Sequence, residues 1–336
     1  MPQVCKSPDP LAEGRVGTFS EVFPPKPHWT SADVPDLTGQ TIIVTGGNSG
    51  IGKETCRVLL SKNARVYMAA RSEAKAKAAI TELKASTGKD KIFWLKLDLA
   101  DLPSVRHAAE EFMEKEPELH VVFNNGGIMQ APLEDLTAQG YDASFGVNCL
   151  GPFFFTTLLL PVLTRTAASE SAAASGHRVR VVHTSSNSHD GMAPSAGLVW
   201  ESMQRDKDKA LPMRKKMGKF QLYGQSKLGQ VLFAKELARR YGSKGIVSIS
   251  LHPGLVSTEL QRNFNPLVAG AMRAVFTDTA HGAITQLFAG TAPQALELNG
   301  EYLTAYARRS KASKMADDPE LAKKLWAFCE EQLESF

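Results

Sequence analysis

Between Gln40 and Leu60 the chain passes from a continuous apolar run, Ile42-Ile43-Val44, through Thr45-Gly46-Gly47-Asn48-Ser49-Gly50-Ile51-Gly52 into a helix-like segment from about Ile51. Glycines reach positive φ without strain and let the backbone come close to a ligand. A helix that starts directly after such a turn presents free amides and the positive end of its dipole, which together suit a phosphate. Strand, glycine turn, helix and a second apolar run, Val66 to Ala70, occur here in the order a phosphate-binding turn requires.

The alternation continues. Apolar runs at Ile92 to Leu97, His120 to Phe123, Arg178 to His183 and Ile246 to Leu251 are separated by helix-like stretches such as Glu73 to Ala85 and Val105 to Lys115. Continuous apolar runs mark strands buried on both faces, and strands alternating with helices imply a parallel sheet covered on both sides. The expected fold is α/β, a single doubly wound parallel-sheet domain of the Rossmann kind over residues 37–336. It is preceded by an extended arm, residues 1–36, with Phe19, Phe23 and Trp29 as anchors or, alternatively, by a disordered segment. An insertion at about 187–222 carries Arg205, Lys207, Lys209, Arg214, Lys215, Lys216 and Lys219 and reads as a solvated surface segment. Thr166 to Gly176, rich in alanine and serine, reads as a surface loop.

At 336 residues and 43% hydrophobic composition the chain can bury a large core. Its 39 basic and 35 acidic residues are interspersed, with none of the concentrated positive charge that nucleic-acid binding uses. Cys5, Cys56, Cys149 and Cys329 are too scattered for a metal site or a disulfide framework, so a reducing, cytoplasmic location is expected. The proline-rich start does not read as a secretory signal. The longest apolar stretch, Cys149 to Leu163, contains Gly151, Pro152 and Pro161 and reads as too short to span a membrane, so no transmembrane segment is expected.

The pattern TGxxxGxG at Thr45 to Gly52 resembles the short-chain dehydrogenase/reductase family, and further motifs follow in that family's order over roughly residues 38 to 305. The resemblance implies that Gly46, Asn48, Ser49, Gly50, Ile51 and Gly52 hold a nicotinamide cofactor. Asp98, after the third strand, matches the family's adenine contact, although it also suits a helix N-cap. Asn124-Asn125-Gly126-Gly127 is similar to the family's NNAG, read with Gly127 in place of alanine, which implies cofactor contacts for Asn125 and Gly126. Pro253-Gly254-Leu255-Val256-Ser257-Thr258 resembles PGxVxT and brings Pro253, Gly254, Val256 and Thr258 into the same set. The second strand ends Ala70-Arg71 without a carboxylate for the adenosine ribose. A guanidinium suits a 2′-phosphate, so NADP(H) is expected over NAD(H).

Tyr223-Gly224-Gln225-Ser226-Lys227 opens a helix-like segment to about Tyr241, and i,i+4 spacing puts Tyr223 and Lys227 on one face. Tyr-x-x-x-Lys is common by chance, so position carries the assignment. A phenol titrates near pKa 10, and a neighbouring ammonium makes it a better base. The resemblance implies that Tyr223 is the general acid/base, with Lys227 lowering its pKa and binding the ribose. It also implies that Ser186 hydrogen-bonds the substrate oxygen, with Ser185 as the competing register, and that Asn148 positions a water in the relay. His183 and His189 lie near Ser186, but no GxSxG elbow supports a Ser/His hydrolase.

Ser186 and Tyr223 stand 37 positions apart, much farther than is usual in the family, so the intervening segment is expected to loop out beside the site. The arm, Ala70-Arg71 and this insert resemble the retinol dehydrogenase-like branch. The implied partner is a small, lipophilic carbonyl compound or alcohol. The loop after Thr258, with Leu260, Phe264, Leu267, Val268, Met272, Val275 and Phe276, suits an apolar lid or an ordinary amphipathic helix. A homo-oligomer formed through the helices of Asn148 and Tyr223 is a further family expectation. The rival reading is a non-enzymatic NADP(H)-binding sensor or scaffold.

Overall fold

The computed structural model describes residues 20–21, 24–169, 179–257 and 276–336. Within them the chain forms β1 (Thr41–Thr45), α1 (Gly50–Ser61), β2 (Arg65–Ala70), α2 (Glu73–Thr87), β3 (Ile92–Lys96), α3 (Leu102–Lys115) and β4 (Val121–Asn124). There follow α4 (Ala143–Ala167), β5 (Val179–Thr184), α5 (Ser188–Gly191), α6 (Lys207–Tyr241) and β6 (Ile246–Leu251). Helix α7 (Thr279–Thr291), strands β7 (Tyr302–Thr304) and β8 (Arg308–Ser310), and helix α8 (Pro319–Leu333) complete the order.

The strands make one eight-stranded sheet in the order β3-β2-β1-β4-β5-β6-β7-β8. All neighbours are parallel except β7 and β8. The order reverses between β1 and β4, and a doubly wound sheet binds its ligand at such a switch point, outside the carboxyl ends of the strands.

Strand side chains alternate between two cores. Ile42 and Val44 of β1, with Val66 and Met68 of β2, pack with α1, α2 and α7; Ile43 and Tyr67 pack on the other face with α3, α4, α6 and α8. This double burial explains why the sequence shows unbroken apolar runs.

Helix α4 is 25 residues long and apolar enough to cross a membrane by length and composition. The sequence-based expectation that this stretch is too short is thereby corrected. The helix is nevertheless 78% buried over its apolar window, against the second core. Pro161 inside it costs about 3 kcal/mol of helix stability. Phe155, Leu159, Val162 and Leu163 are fully buried and offset this at about 1.5–3 kcal/mol each. Helix α8 lies across α4 and α6, the two helices expected to pair between copies, with Trp326 against Phe153 and Phe233 at 4.9 and 5.7 Å.

The arm enters the fold before residue 37. Trp29 meets Phe288 edge-on at 5.5 Å, Val34 is buried in the core, and Leu37 N–H donates to Lys62 O at 2.7 Å. Phe19 and Phe23 lie outside the described residues.

The insertion differs most from expectation. It is helical rather than a loop, with α5, a 3₁₀ turn at Trp200–Met203 and the first part of α6 accounting for most of it and α6 continuing through Tyr223 after a break at Gly218 (φ 72°), while Arg205, Lys209, Lys215, Lys216 and Lys219 are exposed as a solvated surface requires. Arg214 is fully buried; its Nε donates to Ser202 O at 2.9 Å and its Nη2 to Gln204 O at 2.5 Å. A guanidinium clamps the insert by satisfying carbonyls that helices leave open. Thr166 to Ala168 extend α4 and its cap, whereas 170–176 lie outside the described residues.

Gly224 fixes where the insert rests. A Cβ there would lie 2.5 Å from Met192 C and from Ala193 N, both backbone atoms that can yield only by moving the segment. Gly224→Ala is expected to lower unfolding free energy by about 1–3 kcal/mol, with urea denaturation as the check; an unchanged midpoint would contradict this packing.

Candidate active site

The glycine turn joins β1 to α1. Gly46 has φ 66°, and a Cβ on Gly52 would lie 2.4 Å from Gly46 O, so only glycine allows the helix to start this tightly against the turn. Ser49 is the N-cap and makes no side-chain bond to the first-turn amides. Across the switch point, Asn125 Nδ2 donates to Thr45 O at 2.8 Å and Gly126 N–H to Thr45 Oγ1 at 2.8 Å, locking the two turns together. Aligned residue by residue, Gly126 and not Gly127 stands where NNAG has alanine, which corrects the expectation, and a Cβ there would approach Leu99 Cδ1 to 3.0 Å.

A cleft of about 650 Å³ opens over these turns. Its walls include Gly46, Asn48, Ser49, Gly50, Ile51, Gly52, Arg71, Asn125 and Gly126, and also Ser186, Tyr223, Lys227, Pro253, Gly254 and Val256. The structure thus brings together residues that the sequence spreads from Gly46 to Val256. Thr258 and the loop that follows it, from Leu260 to Val275, lie outside the described residues; Phe276 lines the cleft.

Two of the sequence-chosen residues stand behind the walls. Asp98 Oδ1 accepts from Ala100 N–H at 3.0 Å, and its Oδ2 lies 3.8 Å from Arg71 Nη1, so it both caps a turn and sits beside the arginine. Asn148 is fully buried in a π-helical turn of α4, Gly146–Leu150. Gly151 N–H reaches back to Gly146 O there, and Pro152 has no N–H to donate to the Asn148 carbonyl four residues earlier. Such π-turns are frequent at functional sites. Asn148 Nδ2 donates to Ser226 Oγ at 2.9 Å and to Ile128 O at 3.0 Å, which seats it against the turn of α6 that carries Lys227.

The two serines divide. Ser185 is buried and its hydroxyl donates to Lys227 O at 2.7 Å, holding α6 to the sheet. Ser186 lines the cleft, and its hydroxyl stabilises the Tyr223 phenolate against the larger effect of burial. Both serines line the cleft, and Ser185 is the one whose hydroxyl is committed to α6.

Burial pushes the Tyr223 phenol up to about 12 and pushes the Lys227 ammonium down to about 7. Lys227 Nζ donates to Thr184 O and Gln230 Oε1, both at 2.9 Å, and stands 5.8 Å from the Tyr223 ring centroid. Burial is the largest influence on the phenol in this structure and acts against the depression expected from Lys227.

A buried ammonium costs stability. The folded value of Lys227 lies below its ordinary one, so the penalty is complete below about pH 7 and is relieved as pH rises from there toward 10.5. Lys227→Met is expected to unfold later than the native chain by about 2 kcal/mol at pH 6, with a smaller gain at pH 9. Denaturant titrations at both pH values check this; equal gains would contradict it.

The histidines do not make a hydrolase. His189 Nε2 accepts from Ser313 N–H at 3.0 Å, so its Nδ1 carries the proton and donates to the Ser186 backbone carbonyl at 2.6 Å, not to the hydroxyl. His183 is fully buried against Ser248. Sequence reasoning passed over His252, which lines the cleft at 3% exposure and has no hydrogen-bond partner for either ring nitrogen among the described residues. Its position directly before Pro253-Gly254 was the available signal.

The model of the short chain dehydrogenase family matches residues 40–197. A short-chain dehydrogenase/reductase of Armillaria gallica is 51% identical over 95% of this chain and 98% of its own length. An uncharacterized oxidoreductase of Schizosaccharomyces pombe is 40% identical over 87% of this chain and 84% of its own. Among solved structures, an uncharacterized protein from Mycobacterium Paratuberculosis superposes with a TM-score of 0.66 at 30% identity, covering 90% of this chain and 96% of that one. With its doubly wound sheet, its glycine turn at the switch point and relatives this similar over nearly their whole length, the chain belongs to the short-chain dehydrogenase/reductase family of oxidoreductases.

Proposed function

We propose that the protein is an NADP(H)-dependent oxidoreductase that interconverts a lipophilic ketone or aldehyde and its alcohol, in the retinol dehydrogenase-like branch of the family. The observation that carries this reading is the cleft itself. Tyr223, Ser186 and Lys227 line the same cleft as the glycine turn and Arg71.

The residues fit a dinucleotide. The turn from Gly46 to Gly52 and the uncapped start of α1 suit a pyrophosphate. Arg71, with its side chain 71% exposed, stands beside Ser72 and Lys75 and suits a 2′-phosphate. Buried His252, which has no hydrogen-bond partner among the described residues, offers a donor and an acceptor to a polar ligand. Bound NADP(H) would supply or accept a hydride. Tyr223 gives the proton to the carbonyl oxygen or removes it from the alcohol, Ser186 holds that oxygen, and Lys227 binds the ribose. Asn148 orders the turn behind them and, as its match to the family motif implies, positions a relay water.

Phe220 and Met192 support an apolar substrate. They are 54% and 38% exposed, unusually so for large hydrophobic side chains, and both line this cleft. Cysteine usage supports a reducing compartment, and we place the protein in the cytoplasm. Screening ketones, aldehydes and alcohols by NADPH absorbance tests the reading. Steady consumption with apolar carbonyls is expected, whereas tight NADPH binding without turnover on any of them would favour a sensor or scaffold.

A further inference from the structure

Arg308 of β8 reaches out of the sheet edge to the N-terminal arm. Its Nη1 donates to Ser20 Oγ at 2.7 Å and its Nη2 to Ser20 O at 2.9 Å, while its Nε is held by Ala305 O at 2.9 Å. The next arm residue, Glu21, accepts from Asn187 Nδ2 at 3.2 Å. Asn187 directly follows Ser186 and lines the cleft. Two side chains thus tie a segment more than 160 positions earlier in sequence to the wall where a substrate carbonyl would lie.

Glu21 also borders a second chamber of about 230 Å³. Asn187, Ser188 and Met192 line both the chamber and the main cleft, so the chamber adjoins the cleft along the segment that follows Ser186. Its chemistry differs from that of the cleft mouth. Glu21, Asp190, Ser310 and Lys311 are among its lining, giving hydrogen-bonding groups of both charge signs. Such a lining favours a neutral group that both donates and accepts, a hydroxyl above all, over an alkyl end, which would strip water from these polar groups without replacing it.

We propose that Ser20–Glu21, held by Arg308 and Asn187, form the far wall of the substrate site, and that the chamber they border takes a hydroxyl-bearing end of the carbonyl substrate. The substrate is then a carbonyl compound with an apolar body, lying on Met192 and Phe220, and a polar terminus. This rests on the carbonyl oxidoreductase reading above.

The test uses the full chain with NADPH and pairs of linear methyl ketones, each plain ketone matched by one with a terminal hydroxyl, over a series of chain lengths. At one length the hydroxylated member is expected to show kcat/KM about tenfold higher, because a site built to hydrogen-bond a hydroxyl discriminates against the analogue without it. Glu21→Leu and Arg308→Met are expected to bring that ratio close to one, through the KM of the hydroxylated member, and Glu21→Gln to keep most of it. If Arg308→Met fails to fold, as judged by its melting curve, the Glu21→Leu and Glu21→Gln pair decides. A wild-type ratio near one at every length, or a ratio unmoved by Glu21→Leu, overturns the inference alone. Absence of turnover on every ketone overturns the carbonyl reading and this inference with it.

Discussion

Tyr223→Phe is expected to lower turnover by about 10²–10⁴, the range that a positioned proton donor contributes. The change removes one oxygen and keeps the ring, whose 6% exposure shows it already packed as a core aromatic, so folding and NADPH binding are expected to change little. Three neighbouring groups are engaged elsewhere. Lys227 Nζ is engaged with Thr184 O and Gln230 Oε1, His189 presents its proton to a backbone carbonyl, and Ser185 donates to α6. With the phenol raised to about 12, Tyr223 is protonated throughout the neutral range and ready to donate, as carbonyl reduction requires. Alcohol oxidation needs the phenolate, whose fraction grows tenfold per pH unit below the pKa. Oxidation is therefore expected to climb with pH while reduction stays level near neutrality. Near-normal turnover in the phenylalanine variant would refute the mechanism.

Arg71→Asp is expected to reverse cofactor preference, weakening NADPH about 100-fold, roughly what two charge-assisted hydrogen bonds to a phosphate are worth. The side chain is largely exposed, and its only ion pair among the described residues is a long one to Asp98 at 3.8 Å, so little holds it back from a ligand. In the variant the introduced carboxylate and that of Asp98 together repel the 2′-phosphate, while an aspartate at the end of β2 can accept from the free ribose hydroxyls of NADH. Titrating both cofactors by protein fluorescence checks this. Unchanged NADPH affinity would remove Arg71 from the phosphate site.

The parallel sheet was legible because strands buried on both faces must be continuously apolar, and Ile42-Ile43-Val44 and Ile246 to Leu251 are so. The glycine turn was legible because its φ values and close contacts admit few other residues. The exposed lysines of the insertion were legible as a solvated face, but buried Arg214 was not, because an arginine can be solvated or buried with equal ease on composition. Arg214 is clamped by carbonyls of Ser202 and Gln204 that no local pattern announces. The length of α4 was missed because Gly151, Pro152 and Pro161 read as breakers, whereas tertiary burial and a π-turn carry the helix through them. The tie between Arg308 and Ser20 joins positions 288 apart, beyond any periodicity.

Hydride transfer from the cofactor to a carbonyl carbon in the cleft is the central claim. Its most direct test is to react the native chain and Tyr223→Phe with NADPH carrying deuterium at the transferable position and an apolar ketone that the native chain turns over. Mass analysis of the alcohol is expected to show one deuterium on the carbinol carbon, formed by the native chain at least about 100-fold faster than by the variant. Unlabelled alcohol, or equal rates for the two proteins, would contradict it.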